Sequence, residues 1–300
     1  MEPTTSKLEG IRIVPEDIRF MEMLGLVSVL DTNDALIYYP DHKPNSVQRR
    51  LRVLTANKLI RTTRLLVSFD NVHTSGRLPQ LYSLTECGAD FLEACTGKRP
   101  ARYLTGEPAA ATFLHRRDVA KVVASFTSSA IQAGMEEPNW VLEQDHWPLA
   151  PKTLPPNQRL LLYHQFDTPH AVCKPDAACC FKVNDRDVVL YFEIDRSTEG
   201  SKAVADEKRL LGYQQLLHFR EYNRYFTNAA TPFVCLMWIC LSTQRIKSLQ
   251  KLFASHPLAN VMRFALLEPF SSRSDVICSP IFQTVDGLPR QIYNKPSMKA

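Results

Sequence analysis

Apolar positions follow a helical period through the first hundred residues and a strand period around residue 180. From Asp17 to Leu30, Ile18, Met21, Leu24 and Val27 or Ser28 share one stripe behind an acidic start, which predicts a first helix. Asp31–Asp34 is turn or cap chemistry, and a short element over Ala35–Tyr39 stops at Pro40. Pro44, Asn45 and Ser46 then cap a helix over Val47–Asn57, with Val47, Leu51 and Leu54 on one side and Gln48, Arg49, Arg52 and Thr55 elsewhere. Strand patterns over Leu59–Val67 and Leu78–Leu84, joined by the polar turn Asn71–Gly76, predict a hairpin, and Thr85 caps a helix over Glu86–Ala94. Three short helices followed by a hairpin is the element order of a winged helix-turn-helix.

Thr96–Pro108 carries glycines and prolines and no apolar period, so the reading divides the chain into domains of residues 1–105 and 106–300. The second domain opens with a helix over Leu114–Ala133, with Val119, Val122, Val123, Phe126 and Ala130 as its buried stripe. Strands are predicted over Trp140–Glu143 and Arg159–His164, then over Ala177–Val183 and Asp187–Ile194 around the turn residues Asn184 and Asp185. A helix over Lys202–Phe226, a strand over Phe233–Leu241, a helix over Thr243–Phe253 and a strand over Val261–Leu267 follow. The fold class expected is two-domain α+β or α/β, with a mixed sheet flanked by helices in the second domain.

Composition narrows the setting. A hydrophobic content of 45% in 300 residues lets each domain bury a core. The longest apolar run, Phe233–Leu241, is too short for a membrane span, and the polar, acidic start MEPTTSKLEG lacks the pattern of a signal peptide, so the reading is cytoplasmic with no membrane partner. The cysteines show no C-x-x-C and no zinc spacing, which reads as reduced thiols in packing roles. The net charge of +5 is modest, but its distribution is uneven. Between Lys43 and Phe69 stand Lys43, Arg49, Arg50, Arg52, Lys58, Arg61 and Arg64 with no acid among them. That pattern suits an element that binds double-stranded DNA, and equally a solvated basic helix face.

The acids of the second domain carry the other candidate chemistry. Asp176 stands at the mouth of the first hairpin strand, while Glu193 and Asp195 end the second. A strand's period of two puts Glu193 and Asp195 on one face, roughly 7 Å apart. Two readings stay open: an all-oxygen site for Mg²⁺ or Mn²⁺, or a hairpin end whose acids pair with Arg196 and Lys174. His115, Arg116 and Arg117 form a polar helix start that could meet phosphate; His164 and His170 flank the acids without ligand spacing; Cys173, Cys179 and Cys180 read as packing residues.

An early helix, an Asp heading one strand, Glu-x-Asp ending the next and a helix after it resemble the PD-(D/E)xK restriction-endonuclease-like fold. The resemblance implies that Asp176 and Glu193 hold metal. Its lysine position is taken here by Asp195, which could itself bind metal, with Lys174, Lys202 or Lys208 as substitute cations and Lys208 the catalytic candidate. A resemblance over nearly the whole chain is to the replication-relaxation family. It rests on Leu51 to Ile60 (LRVLTANKLI), Leu81–Thr85 before Gly88, Pro175-Asp176-Ala177, the stretch from Phe192 to Glu199 (FEIDRSTE), Lys208 and Tyr213. Membership implies DNA binding near an origin on a bacterial plasmid or other mobile element, with relaxase or replication proteins and a second copy of the chain as candidate partners. Three functions follow as alternatives: a DNA-binding protein with a nuclease-like domain, an Mg²⁺-dependent nuclease or nickase, and a protein-binding scaffold.

Overall fold

The computed structural model describes residues 7–8, 11–63, 80–100, 110–166, 171–196, 207–272 and 275–294. Two compact units make up the chain, Met1–Ser128 and Ser129–Ala300. In the first, the short antiparallel pair β1 (Lys7–Leu8) and β2 (Ile11–Arg12) precedes α1 (Pro15–Val27). Pro15 fits the first helical turn, where its missing N–H is no loss, and Ser28 ends the helix with φ 71°. Then come β3 (Leu30–Asp31), α2 (Thr32–Tyr38), α3 (Pro44–Ala56), β4 (Ile60–Thr63), β5 (Leu81–Leu84) and α4 (Glu86–Thr96). The strands form one antiparallel sheet in the order β3-β5-β4. Asp31 caps α2 by accepting the N–H groups of Asn33 and Asp34, and Thr85 caps α4 through Gly88 N. Phe20, Met21, Leu24, Val47, Leu51, Leu54, Leu84 and Leu92 fill the core between them.

The division between units falls within α5 (Ala110–Gln132). In the second unit β6 (Asn139–Leu142) is followed by a small antiparallel pair, β7 (His164–Gln165) and β8 (Val172–Cys173). Then come β9 (Ala177–Val183), β10 (Arg186–Asp195), α6 (Glu207–His218), β11 (Phe233–Cys240), α7 (Thr243–Phe253), β12 (Met262–Leu266), α8 (Pro269–Ser272), β13 (Phe282–Gln283) and β14 (Pro289–Arg290). One mixed sheet runs β14-β13-β12-β11-β10-β9-β6. Its centre is parallel, β10 beside β11 and β11 beside β12, and its flanks are antiparallel. The central strands are buried on both sides, hence the continuous apolar run of β11. Gly212 lets α6 lie against β8, because a Cβ there would stand 2.5 Å from the Val172 carbonyl carbon.

Most predicted elements appear within a few residues, and the differences have local causes. The strand predicted over Arg159–His164 is reduced to an isolated bridge of Leu160 with His146 and to His164 at the start of β7: Pro156–Arg159 is a 3₁₀ turn, held by Arg159 Nε on the Leu154 carbonyl at 2.7 Å. The helix predicted over Lys202–Phe226 stops at His218, because Arg220 takes φ 54° before a separate 3₁₀ turn over Glu221–Arg224. Residues 64–79, with Arg64 and the tip of the first hairpin, and most of the predicted linker, 101–109, lie outside the described residues.

The β9–β10 hairpin follows its sequence closely. Asn184 and Asp185 have φ 48° and 62°, and Val183 pairs with Arg186. Both loop residues are therefore left-handed, the requirement of a two-residue turn that follows strand twist. Asp185→Val should cost about 1–2 kcal/mol, the penalty of a Cβ-branched residue in that region, measured by urea unfolding. An unchanged midpoint would contradict the turn geometry.

Candidate functional site

Where the hairpin ladder ends at Ala177 and Phe192, Asp176 extends it with its side chain. Its backbone N donates to Phe192 O at 2.9 Å, and its Oδ2 accepts Ile194 N at 2.7 Å. This seats Asp176 beside Glu193. Glu193 is 3% exposed, with Oε1 accepting the Tyr213 hydroxyl and Oε2 the Arg209 guanidinium. Arg209 and Tyr213 are four residues apart on α6, so one helix face supplies both. The Arg209 guanidinium also lies over the Trp238 ring, 5.6 Å from its centroid. Asp195, two positions along β10, accepts Arg245 Nε from α7 at 2.6 Å.

Burial pushes the Glu193 carboxyl up to about 7, opposed by the Arg209 charge and reinforced by Asp176. The Glu193 charge in turn lifts Arg209 above its ordinary value. Folded Glu193 thus keeps a proton that the unfolded chain has released. Its stabilising contribution is complete below about 4.5 and disappears as pH rises through about 7. Glu193→Gln should therefore gain stability relative to wild type across that window, seen in thermal melts at a series of pH values. A constant difference from pH 4 to pH 8 would contradict the shift.

The same face of β10 carries a second polar string. Tyr191 and Tyr225 hydroxyls are 2.7 Å apart, Tyr225 lies 3.4 Å from His164 Nε2, and His164 Nδ1 is 3.8 Å from Glu221. Burial holds the His164 imidazole below its usual range, against the pull of Glu221. Tyr191, Glu193 and Asp195 thus alternate along one strand, each answered by a partner from a later segment.

Of the ion-pair partners expected for the acids, Lys174 turns to another residue. Lys174 pairs with Glu143 at 3.3 Å, while Arg209 and Arg245 hold the acids. Lys208 stands exposed near the start of α6, next to Arg209. His170 and Lys202 fall outside the described residues. Cys173 and Cys179 are buried with thiols pushed well above their usual value, and burial lifts Cys180 to about 11, which fits packing roles.

The basic segment divides by helix face. On α3, Val47, Leu51 and Leu54 are buried, and Asn45, Gln48, Arg49, Arg52 and Ala56 are exposed. Arg50 points inward instead. Its Nε reaches the Asp17 oxygens at 2.9 and 3.0 Å, and its terminal nitrogen meets Asp17 and the Arg12 carbonyl. Asp17 is fully buried and accepts the Tyr39 hydroxyl at 2.8 Å and Val14 N at 2.9 Å as well. Lys58 is exposed just past the helix, and Arg61 is half-buried on β4.

The replication-relaxation family model matches residues 34–229, from α2 through β10 to the segment after α6. The chain belongs to the replication-relaxation family. The match takes in both α3 and the acids Asp176, Glu193 and Asp195. No curated protein and no solved structure matches the chain. Membership of the replication-relaxation family points to a role in replication or mobilisation. Among the described residues no helix is long and apolar enough to cross a membrane.

Proposed function

We propose that this replication-relaxation protein binds double-stranded DNA through a winged helix in its first unit. The element order supports the reading: α1, α2 and α3, then the β4–β5 hairpin as wing, then α4. The single observation that carries it is the outer face of α3. That face presents Gln48, Arg49 and Arg52 with no acid on the helix, while Arg50 is spent inside on Asp17. Arginine and glutamine are the side chains that reach guanine and adenine edges or phosphates from a helix in the major groove. Lys58 and Arg61 follow on the wing side as phosphate contacts, and Arg64 continues the basic run in the sequence.

The second unit accords with a restriction-endonuclease-like sheet, since β6, β9 and β10 form an antiparallel run and β11 joins β10 in parallel after α6. In this reading it accompanies the DNA-binding unit on a plasmid or other mobile element. Relaxase or replication proteins and a second copy of the chain are its candidate partners.

Arg49→Ala with Arg52→Ala should weaken duplex binding by about 30-fold or more, since each lost contact costs about 1–3 kcal/mol. Fluorescence anisotropy with a labelled duplex from the host element's origin region measures it. Retained affinity in a normally folded variant would overturn the assignment of α3.

A further inference from the structure

The restriction-endonuclease-like resemblance puts a divalent ion on Asp176, Glu193 and Asp195, and the donors around Glu193 and Asp195 do not fit one. Mg²⁺ takes oxygen ligands in an octahedron at about 2.0–2.1 Å, so the carboxylate lone pairs must face a common point. Glu193 instead gives one oxygen to Tyr213 and the other to Arg209. Asp195 gives Oδ2 to Arg245, and Asp176 gives Oδ2 to the backbone of Ile194. Guanidinium nitrogens carry protons and offer no lone pair to a metal. Their charge stands where the ion's charge would act.

We infer that Arg209 and Arg245 replace the divalent ion: Glu193 and Asp195 are the carboxylate halves of a guanidinium lock that fastens α6 and α7 to the end of β10, and are not metal ligands. The register supports a lock at this place. Glu193 pairs with Trp238 and Asp195 with Cys240, so the acids at the end of β10 stand beside the end of the parallel β11, and each of these strands is followed by a helix that must be anchored. Arg209 and Arg245 come from those two helices. Arginine suits the task, because its planar fork binds carboxylate, lies over an aromatic face as Arg209 does over Trp238, and stays charged when buried. The Arg245 side chain is 9% exposed and Asp195 6%. A pair so enclosed is costly to open, and an ion bridging Glu193 and Asp195 would have to displace the guanidinium held by each. Sequence alone pointed to a missing cation at the Asp195 position; the fold supplies cations from the helices instead. The inference rests on side-chain partners and is independent of DNA binding by α3.

The test is thermal melting of the full chain in EDTA, Mg²⁺ and Mn²⁺, comparing wild type with Glu193→Gln and Asp195→Asn. The lock predicts a wild-type midpoint that the ions leave where EDTA leaves it, or a shift that both variants retain in full. A rise with Mg²⁺ or Mn²⁺ that either variant abolishes would overturn it, because an ion bound only by the folded state stabilises by mass action through its ligands. Nicking of supercoiled plasmid that needs Mg²⁺ or Mn²⁺ and is lost in Glu193→Gln would overturn it as well. Because neither readout involves α3, a chain that fails to bind duplex can still pass this test, and one that binds duplex can still fail it.

Discussion

Arg209→Ala should destabilise the second unit by about 3 kcal/mol at pH 8, visible as a fall of several degrees in its melting midpoint. The figure sits at the low end of the range for a broken buried pair, because the Arg209 side chain keeps 27% of its exposure whereas Glu193 is almost sealed. What remains after the substitution is a buried carboxylate with the Tyr213 hydroxyl as a neutral partner and Asp176 as a like-charged neighbour. Its escape is to take a proton. The loss should therefore shrink as the solution is acidified from pH 8 toward the wild-type Glu193 value of about 7 and level off below it, where the carboxyl is protonated in both proteins. Adding Glu193→Gln to Arg209→Ala should recover much of the loss, since no charge is then left unpaired. Additive losses in the double variant, or a loss larger at pH 5 than at pH 8, would contradict the pairing.

A loss of similar size is expected in the first unit from Arg50→Ala, about 3 kcal/mol. The Asp17 side chain is fully buried, and the Arg50 side chain facing it keeps 23% exposure. Tyr39 and Val14 N still bond the carboxylate in the variant, which keeps the cost from being larger. Arg50→Lys should recover only part of the loss, because an ammonium cannot bridge both Asp17 oxygens and the Arg12 carbonyl. Arg49→Ala, one residue away on the exposed side, should leave the melt unchanged. The contrast between two adjacent arginines is the point of the experiment. Equal effects of the two on stability would mean that α3 is rotated from the arrangement described here.

That contrast also shows what the sequence disclosed and what it did not. Arg49, Arg50 and Arg52 look alike in a list of charges, and counting them together placed Arg50 on the DNA side. Helical spacing held the correction, since Val47, Arg50, Leu51 and Leu54 stand at i, i+3, i+4 and i+7 on the buried face. The signal was legible; its partner was not, because Asp17 lies on α1 and nothing local marks it as a buried acid. The β9–β10 hairpin was legible, from its turn residues Asn184 and Asp185 to the shared face of Glu193 and Asp195, because the terms that fix it are local. The partners of those acids come from α6 and α7, far along the chain, and meet them only because parallel β10 and β11 bring both helices back to the same end of the sheet. Proximity along the chain points to Lys174, which pairs with Glu143.

The salt dependence of duplex binding tests the central claim, that the outer face of α3 holds DNA. Binding constants for wild type and for Arg49→Ala with Arg52→Ala are measured by anisotropy over a salt series, with melts to show that both are folded. Each phosphate neutralised adds about 0.9 to the slope of log affinity against log salt. The account predicts lower affinity for the variant at every salt concentration. The slope should be smaller by up to about 2 if both arginines sit on phosphate, and nearly unchanged if they read base edges. Wild-type protein with no affinity for duplex at low salt, or a folded variant whose affinity and slope both match wild type, would contradict it.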